Sequence, residues 1–499
     1  MPVFNNFVLL TAEDTYHKNA PLLETNCACP TDGFILSPPE EAVKETDYYQ
    51  ASLLHTDAVG NGFHLAFNPQ GDTGVVVLNE AALNLTQPFR QPCTLVAGLQ
   101  AVGNPPGGLE TVQQLVRLNL LQPPGSFKKP KQPAPETLTA WLHVTNECNL
   151  RCPYCFVHKT PDDMELERGR QAVAAVFRSA MAHGFQRVKL KYAGGEATLN
   201  FHTVLILHDY ATGLAQERGM ELAGVVLSNG VSLSNRMIDE MKTRGIQLMI
   251  SLDGVGHYHD AQRHFINGHG SFAHVERTLD RLAARDFIPS ISITLTDRNL
   301  DGLPEVVAYV LERGLPFTLN FYRENVCSAP FTDLAYGEER IIQAMKEAFA
   351  VIEANLPPFS LLGALLDRAR LDAPHDRPCG VGDNYLVINH KGGIAKCQME
   401  VEQTVTNITA DDPLQLIRDD QIGIQNVSVQ QKVECRECLW RYWCAGGCPA
   451  LTYRMTGRYD LKSPNCRIYK ALFPLVLRLE ALRLITHCSI SSPLLYRIS

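Results

Sequence analysis

Three cysteines lie on one short stretch of the chain, Cys148-Asn-Leu-Arg-Cys152-Pro-Tyr-Cys155, directly after a strand-like run at 137–145. Three thiolates on one loop can bind three irons of a [4Fe–4S] cluster and leave the fourth iron open. An open iron can bind a small molecule and pass it one electron, which no side chain does alone. A zinc knuckle completed by His158, or three unrelated core cysteines, are the alternatives. The spacing favours the cluster.

A second group of seven cysteines lies between positions 379 and 466. Its central part has the spacing C-x2-C-x5-C-x3-C, with glycines and a proline among the cysteines. In a chain expected to be cytoplasmic, such a series indicates metal or redox sites rather than disulfides. A pair of structural zinc sites is the alternative, because C-x2-C is also zinc-ribbon spacing. The seven are Cys379, Cys397, Cys435, Cys438, Cys444, Cys448 and Cys466.

Strand-like runs alternate with helical patterns through the middle of the chain. Six strand-like runs begin near residues 139, 187, 223, 246, 289 and 316, and helical patterns lie at 166–182, 203–216, 235–243, 272–284 and 303–312. This alternation predicts right-handed βαβ units and a parallel sheet. We therefore predict an α/β fold, a partial (β/α)6 TIM-like barrel with its chemistry at the carboxyl ends of the strands. Six strands would leave a lateral opening for a polypeptide.

Three polar turns follow strand-like runs in this region: Gly194-Gly195-Glu196, Ser228-Asn229-Gly230 and Ser251-Leu-Asp253-Gly254. With the cysteine loop, their order resembles the radical S-adenosylmethionine (radical SAM) enzymes, in which an aromatic residue precedes the third cysteine. The resemblance implies that the three loop cysteines bind a [4Fe–4S] cluster. It also implies that the first turn receives the amino group of S-adenosyl-L-methionine and that Arg263 meets its carboxylate. The implied cofactor residues are Tyr154, Gly194, Gly195, Glu196, Ser228, Asn229, Ser251, Asp253 and Arg263.

The C-terminal cysteines resemble the SPASM extension of radical SAM enzymes, which holds two further [4Fe–4S] clusters, so the resemblance implies three clusters in all. It assigns one auxiliary cluster to Cys379, Cys397 and Cys448, and the other to Cys435, Cys438, Cys444 and Cys466. Some relatives have a further cysteine where this chain has Tyr385. The first auxiliary cluster is therefore expected to have an open or non-cysteine fourth site, for which Asp383 is a weak candidate.

The region 62–122 is expected to contain strands followed by about three helices. It resembles the small winged-helix α+β domains of peptide-modifying enzymes, which capture a leader peptide as a strand added to an exposed sheet edge. A packing domain that shields the barrel mouth is the alternative. The Pro- and Lys-rich stretch 122–135 predicts a semi-rigid tether that few contacts cross. Cys27 and Cys29 could bind metal, although two isolated thiols more often have no such role.

At 499 residues the chain has room for about three domains. We predict a recognition-like domain at 1–130, the barrel at 137–330, a helical connection at 331–378, a cysteine-rich iron–sulfur domain at 379–470, and a C-terminal helix and tail at 471–499. The net charge of −8 argues against nucleic acid as the main partner. The sequence contains no run of about 18 uncharged apolar residues, which is the pattern that would predict a membrane span. We therefore expect a cytoplasmic protein without a membrane partner.

These features predict a maturase that acts on a ribosomally made precursor peptide or protein. The resemblance implies that an electron from a reductant such as flavodoxin or ferredoxin splits adenosylmethionine, and that the resulting 5′-deoxyadenosyl radical abstracts a substrate hydrogen. An intrapeptide crosslink, through a C–C or thioether bond, then requires an electron to leave through the auxiliary clusters. The catalytic base is not readable. Tyr322, Arg323 and Glu324 follow the last strand, but solvated or structural roles are favoured for them.

Two alternatives to this function stay open. A sulfatase-type maturase would oxidise Cys or Ser to formylglycine, and in such relatives an Asp follows the cysteine of a Gly-x4-Cys motif. Here Gln398 follows Cys397, and Gln cannot accept a proton, which counts against this alternative. The other alternative is a non-catalytic iron–sulfur electron carrier. A carrier needs neither an open three-cysteine site nor the 194–196 turn.

Overall fold

The N-terminal part of the protein combines antiparallel strands with three short helices. The computed structural model of the chain describes residues 7–11, 43–51, 53–125 and 134–488. Cys27 and Cys29 lie outside the described residues, as does the tether segment 126–133. The strands are β1 (Leu9–Leu10), β2 (Tyr48–Tyr49), β3 (His55–Gly60), β4 (Phe63–Phe67), β5 (Val76–Asn79) and β6 (Cys93–Thr94), and the helices are α1 (Glu80–Asn84), α2 (Leu95–Ala101) and α3 (Gly108–Arg117).

The main N-terminal sheet has the strand order β1-β5-β4-β3, and β2 pairs separately with β6. Strands β3 and β4 form a hairpin across Gly60-Asn61-Gly62, whose φ angles are 94°, 52° and 73°. Glycine and asparagine are the residues that adopt such left-handed angles at least cost, so the local sequence fixes this turn. Strands followed by three helices agree with the pattern expected for this region.

Six parallel strands in chain order form the barrel sheet. They are β7 (Thr137–Thr145), β8 (Arg187–Gly194), β9 (Glu221–Ser228), β10 (Gln247–Ser251), β11 (Ser290–Leu295) and β12 (Phe317–Phe321). Neighbours pair in parallel register, so their carboxyl ends lie at one edge. All nine residues of β7 are buried, as in a strand covered on both faces. The predicted partial barrel is confirmed, and each strand begins within two residues of its predicted start.

Helices connect these strands: α4 (Leu166–Ala182), α5 (Phe201–Arg218), α6 (Asn235–Thr243), α7 (His257–Asp260), α8 (Phe272–Ala283) and α9 (Leu303–Glu312). Helix α6 illustrates why its ends could be predicted. The Ser234 side chain accepts a hydrogen bond from the Met237 backbone N–H at 3.2 Å, which caps the first turn. Gly245, with φ 67°, ends the helix in the left-handed conformation.

The barrel sheet continues beyond the six predicted strands. Strand β13 (Tyr385–Ile388) lies parallel to β7, and β14 (Gly393–Ala395) and β15 (Thr404–Asn407) extend the sheet antiparallel. The sheet therefore has nine strands in the order β12-β11-β10-β9-β8-β7-β13-β14-β15. The six predicted strands are those of the βαβ repeat. Six strands alone would leave the edge of β7 open, and strands of the cysteine-rich region cover it.

The remaining helices are α10 (Glu338–Ala354), α11 (Pro413–Asp419), α12 (Arg441–Cys444), α13 (Pro449–Thr456) and α14 (Cys466–Cys488). The C-terminal helix was expected within 471–499, but α14 begins earlier, at one of the predicted cluster cysteines. It contains Pro474, and its apolar residues Leu472, Phe473 and Leu477 are fully buried. Most stabilisation of such a helix comes from packing of its buried face rather than from its intrinsic propensity.

The N-terminal sheet packs against the C-terminal part of the chain. The buried Phe67 ring lies 5.7 Å from Trp440 and 4.7 Å from Trp443, centroid to centroid. The Trp443 indole donates a hydrogen bond to the Pro69 carbonyl at 3.1 Å. The expectation of few contacts across the tether is therefore wrong. A proline-rich linker limits the covalent path, but the apolar face of β4 still has to be buried.

Candidate functional site

The cysteine loop follows the carboxyl end of β7. Cys148 is buried, and Cys152 and Cys155 are partly exposed. The Cys148 sulfur accepts hydrogen bonds from the Leu150 backbone N–H at 3.4 Å and from the Asn229 amide at 3.8 Å. Donors aimed at a cysteine sulfur stabilise the thiolate that a metal cluster requires. The loop and the turn after β9 therefore meet at this sulfur.

The turn at 194–196 lies directly against the base of the cysteine loop. The Gly195 N–H donates to the Thr145 carbonyl and the Glu196 N–H to the Glu147 carbonyl, both at 2.8 Å. A Cβ on Gly195 would lie 2.2 Å from the Glu147 oxygen, and one on Gly194 would lie 2.3 Å from the Thr145 oxygen. Because neither contact can be relieved by a side-chain rotation, close backbone approach requires both glycines.

Glu196 joins two of the predicted cofactor turns. One carboxylate oxygen accepts from the Thr198 N–H (3.1 Å), the Thr198 hydroxyl (2.6 Å) and the Ser228 hydroxyl (2.8 Å). The other oxygen accepts from the Asn229 N–H at 2.6 Å. A buried carboxylate bound by four donors is held rigidly. The structure thus brings the ends of β8 and β9 together through one side chain.

Tyr154, Asp253 and Arg263 form a second buried network. The Tyr154 hydroxyl contacts both the Asp253 carboxylate and the Arg263 guanidinium, and the latter two pair at 3.3 Å. The other Asp253 oxygen accepts from the Thr294 backbone N–H at 2.8 Å. The Asp253 N–H donates to His259, whose pKa burial holds well below its ordinary value. The network ties the cysteine loop to the carboxyl end of β10 and the β11 backbone.

Arg263 has a buried donor that fits an external acceptor. Its Nε–H has no hydrogen-bond partner in the part of the chain that the structure describes. A buried donor left unsatisfied costs about 1–3 kcal/mol. A ligand carboxylate at this position would satisfy it, so the residues fit S-adenosyl-L-methionine. Ser251, the remaining predicted cofactor residue, ends β10 beside Ser292 of β11 and is partly buried.

The thiols of the loop suit a soft metal cluster. Burial raises the pKa of the Cys152 thiol to about 12 and also raises that of Cys148. Burial lowers the pKa of Lys159, but the loop thiolates, Cys155 above all, outweigh it and leave that pKa raised. Among the described residues, no three His, Cys, Asp or Glu side chains converge on a single ion. A four-iron cluster does not require such convergence, because each thiolate binds a different iron.

Cys379, Cys397 and Cys448 lie together although they come from three separate segments. They share one apolar cluster with Trp141 of β7 and with Phe156, which adjoins the cysteine loop. Trp141 alternates with the β7 residues that pack on the helices, so it faces the other side of the sheet. This set therefore packs on the face of the sheet that carries Trp141, near the cysteine loop.

The other four C-terminal cysteines also lie together. Burial raises the pKa of Cys435 to about 11 and that of Cys444 to about 12, and the charge of Cys466 raises both further. Cys466 also lies close enough to Cys438 for that thiolate to raise its pKa. The two groups have the same membership as the ligand sets that the resemblance implies.

A tight left-handed turn joins the two groups. The three residues between Cys444 and Cys448 have φ angles of 48°, 76° and 66°. The second and third are glycines, which adopt such angles without a steric cost. A Cβ on Gly446 would lie 2.6 Å from the Lys432 ammonium nitrogen. One short turn therefore supplies a cysteine to each group.

Two cationic side chains lie beside these cysteines. The sequence did not predict the position of either one. Lys432 is fully buried, and its ammonium donates to the Ala445 carbonyl at 3.1 Å. The Arg323 guanidinium donates to the Cys448 sulfur at 3.2 Å and pairs with Asp367. Arg323 was expected to be solvated or structural, and its contact with a predicted ligand goes beyond that. The sequence features that could have indicated these two side chains are a lysine three residues before a C-x2-C pair and an arginine after β12.

The candidate fourth ligand of the first C-terminal group is engaged elsewhere. The Asp383 carboxylate pairs with Arg418 at 3.4 Å and is 39% exposed. Tyr385 is buried, and its hydroxyl donates to the Gln398 carboxamide at 3.0 Å. Gln398, which follows Cys397, is thus fixed by a tyrosine. The structure places Asp383 in a surface ion pair.

The N-terminal sheet ends in strand β1 at one edge and in strand β3 at the other. Strand β1 pairs with β5 through Leu9 opposite Leu78 and Leu10 opposite Val77. At the other edge, Arg478 of α14 donates to the Ala58 carbonyl of β3 at 2.8 Å. A sheet edge is available for strand addition only where its backbone groups are unpaired. Peptide capture at an edge of this sheet therefore stays a prediction.

Comparisons with known proteins match the barrel region to one superfamily. The family model of the Radical SAM superfamily matches residues 142–310. An uncharacterised protein of Archaeoglobus fulgidus is 24% identical over 345 residues, which cover 67% of this chain and 79% of that protein. The sporulation killing factor maturation protein SkfB of Bacillus subtilis is 25% identical over 36% of this chain and 40% of its own length. A cysteine-type anaerobic sulfatase-maturating enzyme of Clostridium novyi is 20% identical over 61% and 86%.

A solved structure shares the fold. Native anSMEcpe with bound AdoMet and a Cp18Cys peptide superposes with a TM-score of 0.56 at 18% identity, covering 71% of this chain and all of that one. At this identity the likeness shows a shared fold. None of the helices in the described ranges has both the length and the apolar character to span a bilayer.

Proposed function

The chain is an enzyme of the radical SAM superfamily, and we propose that it is a maturase acting on a ribosomally made peptide. We further propose that it abstracts a hydrogen atom from that peptide and forms an intrapeptide crosslink, through a C–C or thioether bond. Relatives named as a maturation protein and as a sulfatase-maturating enzyme support a peptide or protein substrate. The proposed partners are this substrate and a flavodoxin- or ferredoxin-type reductant.

The residues of the first site have separate roles in this proposal. When bound, a [4Fe–4S] cluster and S-adenosyl-L-methionine supply a 5′-deoxyadenosyl radical that abstracts a hydrogen atom from the substrate. The three loop cysteines would hold the cluster. Arg263, fixed by Tyr154 and Asp253, would bind the cofactor carboxylate through its unpartnered Nε–H. Glu196 would keep the 194–196 turn oriented toward the amino end of the cofactor.

The location of the first C-terminal cysteine group is the observation that favours a crosslinking reaction. Crosslinking removes two hydrogens from the substrate: one leaves as an atom, and the other leaves as a proton and an electron. Cys379, Cys397 and Cys448 share an apolar cluster with Trp141 and Phe156, beside the space where a substrate would lie. We propose that this group binds an auxiliary cluster that accepts the electron and that the other four cysteines bind a third cluster. An electron carrier would not need an acceptor there.

The N-terminal sheet is proposed to bind the leader segment of the precursor. Peptides recognised by strand addition form main-chain hydrogen bonds with a sheet edge. Because Arg478 of α14 contacts a β3 carbonyl, we propose the β1 edge for the leader, and β1 contributes only two residues to the sheet. A weakly held edge strand of this length is a plausible site of exchange with a longer partner strand.

Sulfatase-type oxidation is the second candidate, supported by the Clostridium novyi relative. Against it stands Gln398, a neutral carboxamide bound to Tyr385 at the position after Cys397. Both reactions can remove two hydrogens, but only oxidation to formylglycine produces an aldehyde. The two products can therefore be told apart by carbonyl chemistry.

The proposal is tested by anaerobic co-expression with a short peptide encoded beside the gene. We expect the peptide to lose two hydrogens, to resist fragmentation between the joined residues, and to fail to react with a hydrazide probe. The Cys148→Ala, Cys152→Ala, Cys155→Ala variant is the control and should leave the peptide unmodified. A hydrazide-reactive product would favour the sulfatase-type reaction. Failure to cleave adenosylmethionine under reducing conditions would leave only the electron carrier.

A further inference from the structure

A buried lysine lies between the two C-terminal cysteine groups. Lys432 has no exposed surface, and its ammonium donates to the Ala445 carbonyl at 3.1 Å. Ala445 belongs to the turn whose two ends are Cys444 of one group and Cys448 of the other. The Cys435 N–H in turn donates to the Lys432 carbonyl at 3.1 Å. The lysine is therefore fixed by backbone bonds to segments of both groups.

The charge of this lysine has no carboxylate to balance it in the described ranges. Its ammonium contacts a carbonyl oxygen, and four cysteines influence its charge electrostatically: Cys435 and Cys444 from one group, Cys379 and Cys448 from the other. Burying an ammonium away from water is expensive unless an anion compensates it. Cysteine-ligated iron–sulfur clusters are anionic, so both groups would supply the missing negative charge when their clusters are bound.

We propose that Lys432 is a positioning charge that raises the reduction potentials of both auxiliary clusters together. This inference rests on the proposed function, because it requires clusters at both groups. A cluster gains a negative charge on reduction, so a fixed positive charge nearby stabilises the reduced form. Charge and hydrogen bonds close to the sulfurs are among the main determinants of cluster potential. A shared cation would favour entry of the substrate electron into either cluster of the pair.

Arg323 provides a contrast within the same region. It donates to the Cys448 sulfur, but its charge is largely balanced by the Asp367 carboxylate. The cysteine that it contacts, Cys448, belongs to the first group. We therefore expect Arg323→Gln to change the potential of the first auxiliary cluster alone, and by less than removal of the Lys432 charge changes either potential.

The test is potentiometric titration of the full-length protein, followed by electron paramagnetic resonance. The Cys148→Ala, Cys152→Ala, Cys155→Ala background removes the overlapping signal of the first cluster. Lys432→Met removes the charge and the hydrogen bond, whereas Lys432→Gln keeps a neutral donor for the Ala445 carbonyl. With iron content unchanged, we expect both variants to lower both auxiliary midpoint potentials, and by similar amounts.

Other outcomes would overturn the proposal. Unchanged potentials in Lys432→Gln, at full iron content, would show that the charge has no effect. A variant series in which only Lys432→Met lowers iron content, and Lys432→Gln behaves as the parent, would assign the lysine a purely structural role. If the parent background itself held no iron, the assignment of auxiliary clusters under the proposed function would fail instead, and that failure would be visible before any lysine variant is made.

Discussion

The cysteine loop after β7 and the C-terminal cysteine groups hold their thiols in different ways. The loop carries its three cysteines on one short segment, and its neighbours are ionised side chains: Glu196, Asp253 and Arg263. The C-terminal groups draw their cysteines from separate segments, and their neighbours include apolar residues and the cation Lys432. In the first arrangement the Arg263 Nε–H lies near the loop without a partner among the described residues. In the second, Cys397, Cys435 and Cys448 are buried and the other four cysteines are partly exposed.

This difference agrees with two kinds of electron chemistry. A site that must bind a charged cofactor needs directed donors and acceptors, and the Arg263 Nε–H is one donor still without a partner among the described residues. A site that only accepts an electron gains from being enclosed, because burial and a fixed charge set its potential. The comparison predicts that substitutions in the loop abolish cofactor chemistry, whereas substitutions in the C-terminal groups alter electron transfer.

The largest effect is expected from removing the cysteines of one region at a time. The protein should hold about twelve irons after anaerobic reconstitution, from three four-iron clusters. Cys148→Ala, Cys152→Ala, Cys155→Ala should remove about four of them and abolish adenosylmethionine cleavage. Removal of Cys435 and Cys438 should also lower the iron content but leave uncoupled cleavage measurable. Iron and zinc analysis with a deoxyadenosine assay checks this, and stoichiometric zinc without iron uptake would contradict it.

Gly195→Val should impair the site at the cysteine loop after β7 and leave the C-terminal cysteine groups intact. A branched side chain there would collide with the Glu147 carbonyl oxygen, 2.2 Å from the position of its Cβ. The constraint is the nearby backbone, since Gly195 does not adopt a positive φ. We expect cofactor binding to be lost and the first cluster to be weakened while the C-terminal iron is retained. Gly213→Ala in α5, where no atom lies within 4 Å of the added Cβ, is the control and should be neutral or slightly stabilising.

Phe67→Ala should destabilise the whole protein rather than a separate N-terminal domain. The fully buried ring packs on Trp440 and Trp443, so its loss should cost about 3–5 kcal/mol. Chemical denaturation followed by both tryptophan fluorescence and cluster absorbance should show one shifted transition. Two separate transitions, with the cluster transition unmoved, would restore the view that the N-terminal region is independent.

Acid should lower the free energy of unfolding through two buried histidines, one near each region. Burial lowers the pKa of His143, in β7, and of His375, which donates its backbone N–H to Tyr442, to about 4. The unfolded chain binds these protons below about pH 6.5, whereas the folded protein does not until about pH 4. Stability is therefore full above pH 6.5 and falls as the pH drops toward 4, by about 3 kcal/mol per histidine.

Variants can separate the two contributions. His143→Gln and His375→Gln should each flatten the dependence of the unfolding free energy on pH between 6.5 and 4, relative to the parent. The measurement is urea denaturation at a series of pH values under anaerobic conditions. An unchanged slope in either variant would mean that the histidine concerned does not remain neutral in the folded protein.

The sequence by itself determined the local features of this protein. The spacing of the loop cysteines, the glycine turns and the strand–helix alternation depend on residues close in the chain, and the six barrel strands and most helix ends were predicted from them. The glycine turns could be predicted because they are also local, and a backbone constraint leaves few residue choices at such positions. The reason for Gly195, the carbonyl oxygen of Glu147 in the loop after β7, was not readable.

Only the tertiary structure decided which distant groups meet. The extension of the barrel sheet by β13, the pairing of β1 with β5 and the packing of Phe67 on Trp443 all join segments far apart in the chain. Lys432 looks like an ordinary surface lysine in the sequence, since nothing near it indicates burial. Its position between two cysteine groups results from the left-handed turn at 445–447 together with the long-range packing of both groups, and long-range packing depends on the whole core rather than on local residue preferences.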